Sequence, residues 1–133
     1  MPQTIVYPIE HLANLFIEKG GITVTPQNIQ ATLGAGSANQ LLAAGVSGKR
    51  IRLFSVVLSS QAAAVTYVTF KDASGGAAVL VVTVPSNASA TPNVILDANK
   101  YGWSDLTTGN GLYCDVGAGA GVYLSARVAI FTP

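Results

Sequence analysis

The sequence predicts an all-β protein: a jelly-roll-like antiparallel β-sandwich with an N-terminal arm. After residue 40 the chain is a near-continuous series of short runs rich in β-branched residues, with no long stretch of 3.6-residue period. Turn residues separate these runs, as in "DASGG", "PSNASATPN" and "TTGNG". About six short strands at this spacing are typical of a sandwich, and we expect the jelly-roll subtype. We therefore predict an arm over residues 1–40 and a sandwich domain over residues 41–133.

The strand predictions of the second part rest on side-chain alternation. The predicted strands are 49–60, 64–71, 77–84, 94–96, 111–116 and 122–131. Segment 77–84 is almost wholly apolar, which suits a strand covered on both faces. Segment 122–131 alternates most regularly. Its inward residues are Val122, Leu124, Ala126, Val128 and Ile130, and its outward residues are Tyr123, Ser125, Arg127 and Phe131.

The segment before residue 40 is of mixed character. "YPIEHLANLFIEKGG" is either a short amphipathic helix with a glycine stop or an extended arm. "GITVTPQ" predicts a strand that Pro26 closes, and "GAGSANQ" predicts a flexible joint. A hydrophobic arm on such a joint is suited to contact a neighbouring subunit. The arm residues that we expect at this contact are Ile5, Val6, Tyr7, Leu15 and Phe16.

Composition favours assembly over an electrostatic partner. The 133 residues form one domain, and their formal net charge is +1 from 7 basic and 6 acidic residues. This near-neutral balance gives no electrostatic case for nucleic acid or an anionic membrane. Charged residues make up only 10% of the chain and hydrophobic residues 50%, whereas ordinary soluble domains carry roughly 25% charged residues. We expect uncharged polar residues on the surface and much surface covered by other copies.

Cysteine content and apolar run length exclude several protein classes. The single cysteine, Cys114, excludes an intrachain disulfide and a multi-cysteine metal site. It falls on an inward strand position, so we expect an inert core thiol. "MPQTIVYPIEH" lacks a basic segment followed by an apolar run, so we expect no cleaved secretion signal. No stretch approaches the ~20 apolar residues of a membrane helix.

The glycine-rich segment "GAGAG" at 117–121 raises the question of a phosphate loop. A phosphate loop needs the start of a helix and usually a lysine. Here a strand follows, with no lysine nearby. We predict instead a hairpin turn that joins the last two strands, with a tip that a neighbour's backbone can approach closely.

The titratable residues form no catalytic or metal-binding pattern. His11 is the only histidine and has no nucleophile context, so we expect a structural or surface role. The acids are scattered, with no general acid/base pair or metal loop. They are Glu10, Glu18, Asp72, Asp97, Asp105 and Asp115. "DLTTGNG" at 105–111 has some calcium-loop character, but a solvated turn is the simpler prediction. We expect no enzyme, no metal and no cofactor.

Two polar groups are candidate interaction sites. Arg50 and Arg52 share one strand face, while Lys49 falls at the strand's solvated start. The pair is either a solvated face that opposes edge-to-edge aggregation or a partner for an acidic neighbour at an interface. In "NKYGW", Tyr101 and Trp103 either cap the sandwich or serve as an interface anchor or carbohydrate platform.

Four stretches carry a resemblance to a known family. They are "LLAAGVSGKRIRLFSVVLSS", "VTYVTFKDASGG", a "GW" turn and "GLYCDVGAGAGVYLSARVAIF". Together, over residues 41–131, they resemble a small β-domain of tailed-bacteriophage virion proteins. In that family a Gly-Lys-basic-apolar-basic strand start, here 48–52, precedes a "VTFK"-like strand, and closing strands flank a Gly/Ala hairpin. Residues 1–40 lie outside the resemblance.

The resemblance implies a virion structural protein assembled in the bacterial host cytoplasm. The implied role is a capsid decoration (cement) protein, a homotrimer that binds the major capsid protein on the outer surface and bridges its subunits. The alternatives are a tail, baseplate or fibre-tip component, or a receptor- or carbohydrate-binding module using Tyr101, Trp103 and Tyr113. A hydrolase lacks any catalytic constellation.

Overall fold

The computed structural model of this protein describes residues 24–97 and 105–133. The described strands are β1 (Val24–Leu33), β2 (Gln40–Ala43), β3 (Arg50–Ser60), β4 (Thr66–Asp72), β5 (Ala77–Val84), β6 (Asn93–Asp97), β7 (Leu112–Val116) and β8 (Val122–Phe131). Sheet 1 has the order β1-β8-β3-β6 and sheet 2 the order β2-β7-β4-β5. Neighbouring strands are antiparallel throughout both sheets. The predicted all-β sandwich is confirmed.

The strand pairings are nested. β1 pairs with β8, β2 with β7, β3 with β6 and β4 with β5, while the pairs β3–β8 and β4–β7 join these ribbons into sheets. Among the described strands, only β4 and β5 are both consecutive and paired. Every other connection crosses from one sheet to the other. Eight strands wrapped in this way are a jelly roll.

The core lies between the two sheets and follows the predicted alternation. In β8, Val122 and Val128 are fully buried and the positions between them alternate as predicted. β3 contains a bulge, where the register shifts between Leu53 and Ser55. Phe54 is the extra residue, and it lets apolar side chains on both sides of the bulge face the core.

Phe131 departs from the expectation of a solvated outer face. The register with Arg50 keeps Phe131 on the outer side of sheet 1, as the alternation predicts. Its side chain is nevertheless buried, in part because the Arg52 guanidinium lies 5.2 Å from the ring centroid. A cation above an aromatic face is a favourable contact and excludes water from the ring.

The predicted boundary at residue 40 does not coincide with the start of the sandwich. β1, which the sequence analysis assigned to the arm, pairs with β8 from Val24 opposite Phe131 to Leu33 opposite Val122. The prediction that Pro26 closes this strand is wrong. β1 is an edge strand of sheet 1, and an edge strand tolerates a residue without a backbone N–H.

The segment predicted as a flexible joint is fastened to β7. The backbone N–H of Gly36 donates to the carbonyl oxygen of Gly117 at 2.9 Å, and that of Val116 donates to the oxygen of Ser37 at 2.7 Å. These bonds explain why 34–39 forms a turn against the sandwich. The predicted arm contacts, from Ile5 to Phe16, lie outside the described residues, as does His11.

The connections gather at the two ends of the sandwich. The connections of one end, here called the uncharged end, contain no Asp, Glu, Lys or Arg: they are 34–39, 61–65, 85–92 and 117–121. The opposite end, here called the charged end, contains the connections 44–49, 73–76 and 105–111. The start of β1 and the end of β8 also lie there. Within the described ranges there is no helix that could span a membrane.

Candidate assembly surfaces

Arg52 is bound to an acid of its own chain. Its Nη2 donates to Asp105 Oδ2 at 2.9 Å and its Nε donates to Asp105 Oδ1, so the planar guanidinium meets the carboxylate with two donors. The side chains are 17% and 21% exposed. The backbone N–H of Leu106 donates to the Ile51 carbonyl oxygen at 2.9 Å. Of the two alternatives for the arginine pair, neither describes Arg52: it forms a salt bridge, but to an acid of its own chain.

The other basic residues at the start of β3 contact the same connection. Arg50 Nε donates to Thr108 Oγ1 at 2.9 Å, and the carbonyl oxygen of Lys49 accepts from the Gly109 N–H at 2.8 Å. The predicted basic strand start thus holds connection 105–111 against sheet 1. Neither a purely solvated face nor a neighbour's acid is needed to explain it.

Asp72 fastens connection 105–111 from the side of sheet 2. Its Oδ2 accepts from the Thr107 N–H at 3.0 Å and from Thr107 Oγ1 at 2.6 Å, and its Oδ1 accepts from Asn110 Nδ2 at 2.9 Å. Burial opposes ionisation, but these hydrogen bonds outweigh it and lower the pKa of Asp72. Among the described residues no three His, Cys, Asp or Glu side chains could hold a metal ion.

A polar network lies on the outer face of sheet 2. Lys71 is buried, and its Nζ donates to Asp115 Oδ2 at 3.0 Å and to Asn39 Oδ1 at 2.8 Å. The Asn39 N–H donates to Asp115 Oδ1 at 2.7 Å. This backbone bond and the lysine lower the pKa of Asp115. The network was not predicted, although both charged residues occupy outward positions of predicted strands.

Cys114 occupies its predicted inward position. It is fully buried on β7. Burial raises the pKa of its thiol to about 12, and the neighbouring Asp115 carboxylate adds to the effect. A thiol with so little thiolate is a poor nucleophile at neutral pH.

The "GAGAG" segment is a turn but not a hairpin. β7 belongs to sheet 2 and β8 to sheet 1, so 117–121 crosses between sheets, and the predicted hairpin is wrong. A Cβ at Gly119 would lie 2.3 Å from the Val65 carbonyl oxygen, and one at Gly121 would lie 2.5 Å from that of Leu33. The close backbone approach at this turn is therefore made by Val65 and Leu33 of the same chain.

The outer face of sheet 2 exposes apolar side chains beside its β5 edge. Val65, Tyr67 and Val81 are 60%, 56% and 59% exposed. In the register Thr69 lies opposite Val81 and Tyr67 opposite Thr83, so Tyr67 and Val81 are diagonal neighbours. The described residues leave the outer face of β5 uncovered, contrary to the prediction of cover on both faces.

The outer face of sheet 1 has a different character. Tyr123, Val57 and Ile95 are exposed there. Amide and hydroxyl groups surround them, and a shallow depression is lined by Gln30, Thr32, Val57, Ser59, Tyr123 and Ser125. Within this depression one aromatic ring lies among uncharged hydrogen-bonding groups.

The aromatic pair predicted as a cap or anchor, Tyr101 and Trp103, lies outside the described residues. Tyr113 is half-buried on the outer side of β7, opposite Leu41 and Lys71. The predicted use of Tyr113 together with Tyr101 and Trp103 therefore stays a prediction.

Comparison with known proteins gives matches in structure only. No family model matches the chain, and no curated protein matches its sequence. One similar solved structure comes from Bacillus endospore appendages, a family of disulfide-linked pili, with a TM-score of 0.49, 12% identity, and 99% of this chain and 98% of that chain covered. Another is the VP2 subviral particle of infectious bursal disease virus, with a TM-score of 0.33 and 14% identity over 83% of this chain. This chain spans only 32% of the VP2 chain.

Proposed function

We propose that this protein is a non-enzymatic structural subunit of a bacteriophage virion, and specifically a capsid decoration protein. The surface of the sandwich carries the proposal. Four of its charged side chains are paired within the chain, as Arg52–Asp105 and Lys71–Asp115. Several of the large side chains left in water are apolar or aromatic, including Val81 and Tyr123. Such a surface is suited to contact other proteins.

The phage assignment rests on the resemblance carried by residues 41–131. A decoration protein acts mechanically: it binds across neighbouring capsid subunits and adds contacts that must break before the shell opens. In this role the partners are sister copies, as a homotrimer, and the major capsid protein. The proposed contacts with the capsid are Ile5, Val6, Tyr7, Leu15, Phe16, Tyr101 and Trp103.

Co-sedimentation with tailed-phage capsids prepared without their decoration protein tests this role. We expect saturable binding and a higher temperature of capsid opening. A chain lacking residues 1–20 should keep its fold, seen as an unreactive Cys114, and lose affinity. Absence of binding by the full chain would contradict the decoration role, and unchanged affinity of the shortened chain would contradict the arm contact.

A tail, baseplate or fibre-tip location is the alternative. It has one specific observation in its favour: the exposed Tyr123 ring lies among amide and hydroxyl groups such as Gln30 and Ser125, which is a chemistry suited to bind a neutral glycan. Electron microscopy of virions carrying the labelled protein separates the two locations, because label on the head supports decoration and label on the tail supports the alternative. A glycan array without response would argue against sugar binding.

A further inference from the structure

We propose that β5 pairs antiparallel with β5 of a second copy about a two-fold axis, joining two copies of sheet 2 into one continuous sheet. This inference goes beyond the proposed function, because it names the surface and the partner wherever the protein is located. A two-fold contact joins one copy to one other, so it doubles whatever unit the remaining contacts build.

The four sheet edges differ in how well they are protected against pairing. β1 contains Pro26 and exposed amide side chains. β2 has 4 residues and a bulge, and β6 has 5 residues and ends in Asp97. Short strands, prolines, bulges and charges are the devices that keep edges from pairing.

β5 has the least protected of these edges. Its 8 residues include no charge and no proline, and no described strand pairs with its outer side. A bulge is present at Val79, since the register steps from Leu80 opposite Phe70 to Ala78 opposite Lys71. Beyond it, residues 80–84 pair regularly with β4. This segment, "LVVTV", combines strong β-propensity with a row of backbone donors and acceptors that no described strand pairs.

A second copy of this chain fits that edge. Because residues 80–84 carry no charge, two copies meet without like-charge repulsion, and antiparallel pairing centred on Val82 keeps each face continuous. Val81 then lies opposite Thr83 of the other copy on the outer face, where cross-strand neighbours are about 5 Å apart. On the inner face, the half-buried Leu80 is packed against the core, and a further strand would cover its open side.

A charge-exchange experiment tests the pairing. Two double variants, V81K/T83K and V81E/T83E, place like charges opposite each other in the paired state. Both positions are exposed on the outer face, so the fold should survive, and an unreactive Cys114 verifies this. We expect light scattering at high protein concentration to give each variant half the mass of the parent, and a 1:1 mixture to regain the full mass.

The matched control is I95K/Y123K, which places two lysines at exposed positions of sheet 1 and should keep the parental mass. Parental mass in both β5 variants would overturn the proposal, as would a parent that is monomeric at high concentration. A mixture that stays at half mass would overturn it too, because β5 would then contact a different surface. If a folded chain lacking residues 1–23 also falls to half mass, the N-terminal segment fills the edge and the proposal is wrong. None of these outcomes depends on capsid binding, which is measured separately.

Discussion

The two ends of the sandwich are held together by different physical means. At the uncharged end, most connections meet through backbone hydrogen bonds, as where the Gln61 N–H donates to the Gly121 carbonyl oxygen at 2.9 Å. The exception is Asn39, which is also bound to the Lys71–Asp115 pair. The Gln61 side chain adds a bond to the Leu33 oxygen at 3.1 Å. At the charged end, Arg52–Asp105 and the Asp72 hydrogen bonds hold the same kind of connection through side chains.

Because of this difference, the contacts at one end should be sensitive to added side-chain volume and those at the other end to charge. The backbone contacts of the uncharged end depend on space, because a Cβ at Gly119 would overlap a carbonyl oxygen. The contacts of the charged end depend on ionised groups, whose strength changes with pH and salt. The two ends should therefore respond differently to an added side chain, to acid and to salt.

The largest effect is expected from Gly119→Ala. The added Cβ would lie 2.3 Å from the Val65 oxygen, so the turn must move, at a cost of about 2 to 3 kcal/mol in the free energy of unfolding. Gly34→Ala is the matched control, since its Cβ would meet only Ser37 Oγ at an ordinary 3.5 Å. Denaturant unfolding measures both. Equal stability of the two variants would show that the uncharged end is loosely packed.

The next effect concerns Arg52→Ala. The change leaves a poorly exposed Asp105 carboxylate without its two donors, and we expect a loss of about 2 kcal/mol. Arg50→Ala is the control, because its hydrogen bond to Thr108 is solvent-exposed and should contribute less than about 1 kcal/mol. If Asp105→Asn abolishes the difference in a double-mutant cycle, the ion pair is its source; additive losses would contradict this.

Acid should weaken the charged end first. The folded-state pKa of Asp72 is lowered, so its contribution is fully present above the unfolded pKa of about 3.9 and is lost as pH falls through the lower folded value. We expect at most about 1 kcal/mol between pH 6 and pH 3, and less in Asp72→Asn. Hydrogen exchange, corrected for intrinsic rates, should show the Thr107 amide opening in acid while the Gln61 amide stays protected. Equal loss at both amides would remove the contrast between the ends.

The smallest effect is a change in labelling rate without a change in fold. Cys114 is fully buried, and burial raises its pKa to about 12, so a thiol reagent at pH 8 should label it only through opening of the sandwich. Labelling should be faster in Gly119→Ala than in the parent, and independent of salt. In the parent, faster labelling in 1 M salt would show that the charged end controls opening, because salt screens its ionic contacts.

Local patterns predicted the strands well because alternation reflects burial of one face. Segments 77–84 and 122–131 were predicted with the bounds that β5 and β8 have. The same logic could not recognise Pro26 as part of a strand, since its tolerance depends on β1 lying at a sheet edge. It also assigned 117–121 to a hairpin, because the sequence does not indicate that β7 and β8 belong to different sheets.

The interaction sites were harder to predict than the strands. Arg52 was identified as a salt-bridge candidate, but its partner Asp105 is separated by 53 positions. The network of Lys71 and Asp115 is separated by 44 positions and was not predicted at all. Such pairs follow from strand order, which periodicity does not contain. The exposure of Val81 likewise follows from its position on the outer face of an edge strand.

The nested pairing also sets an order of events during synthesis. The β4–β5 hairpin closes a loop of only a few residues, whereas β1 finds its described partner only when β8 has been made. A nascent chain therefore leaves the ribosome with its first described strand still without the β8 partner and its β4–β5 hairpin already formed. The edge proposed to join two finished copies is thus present early, when premature pairing between nascent chains would compete with closure of the sandwich.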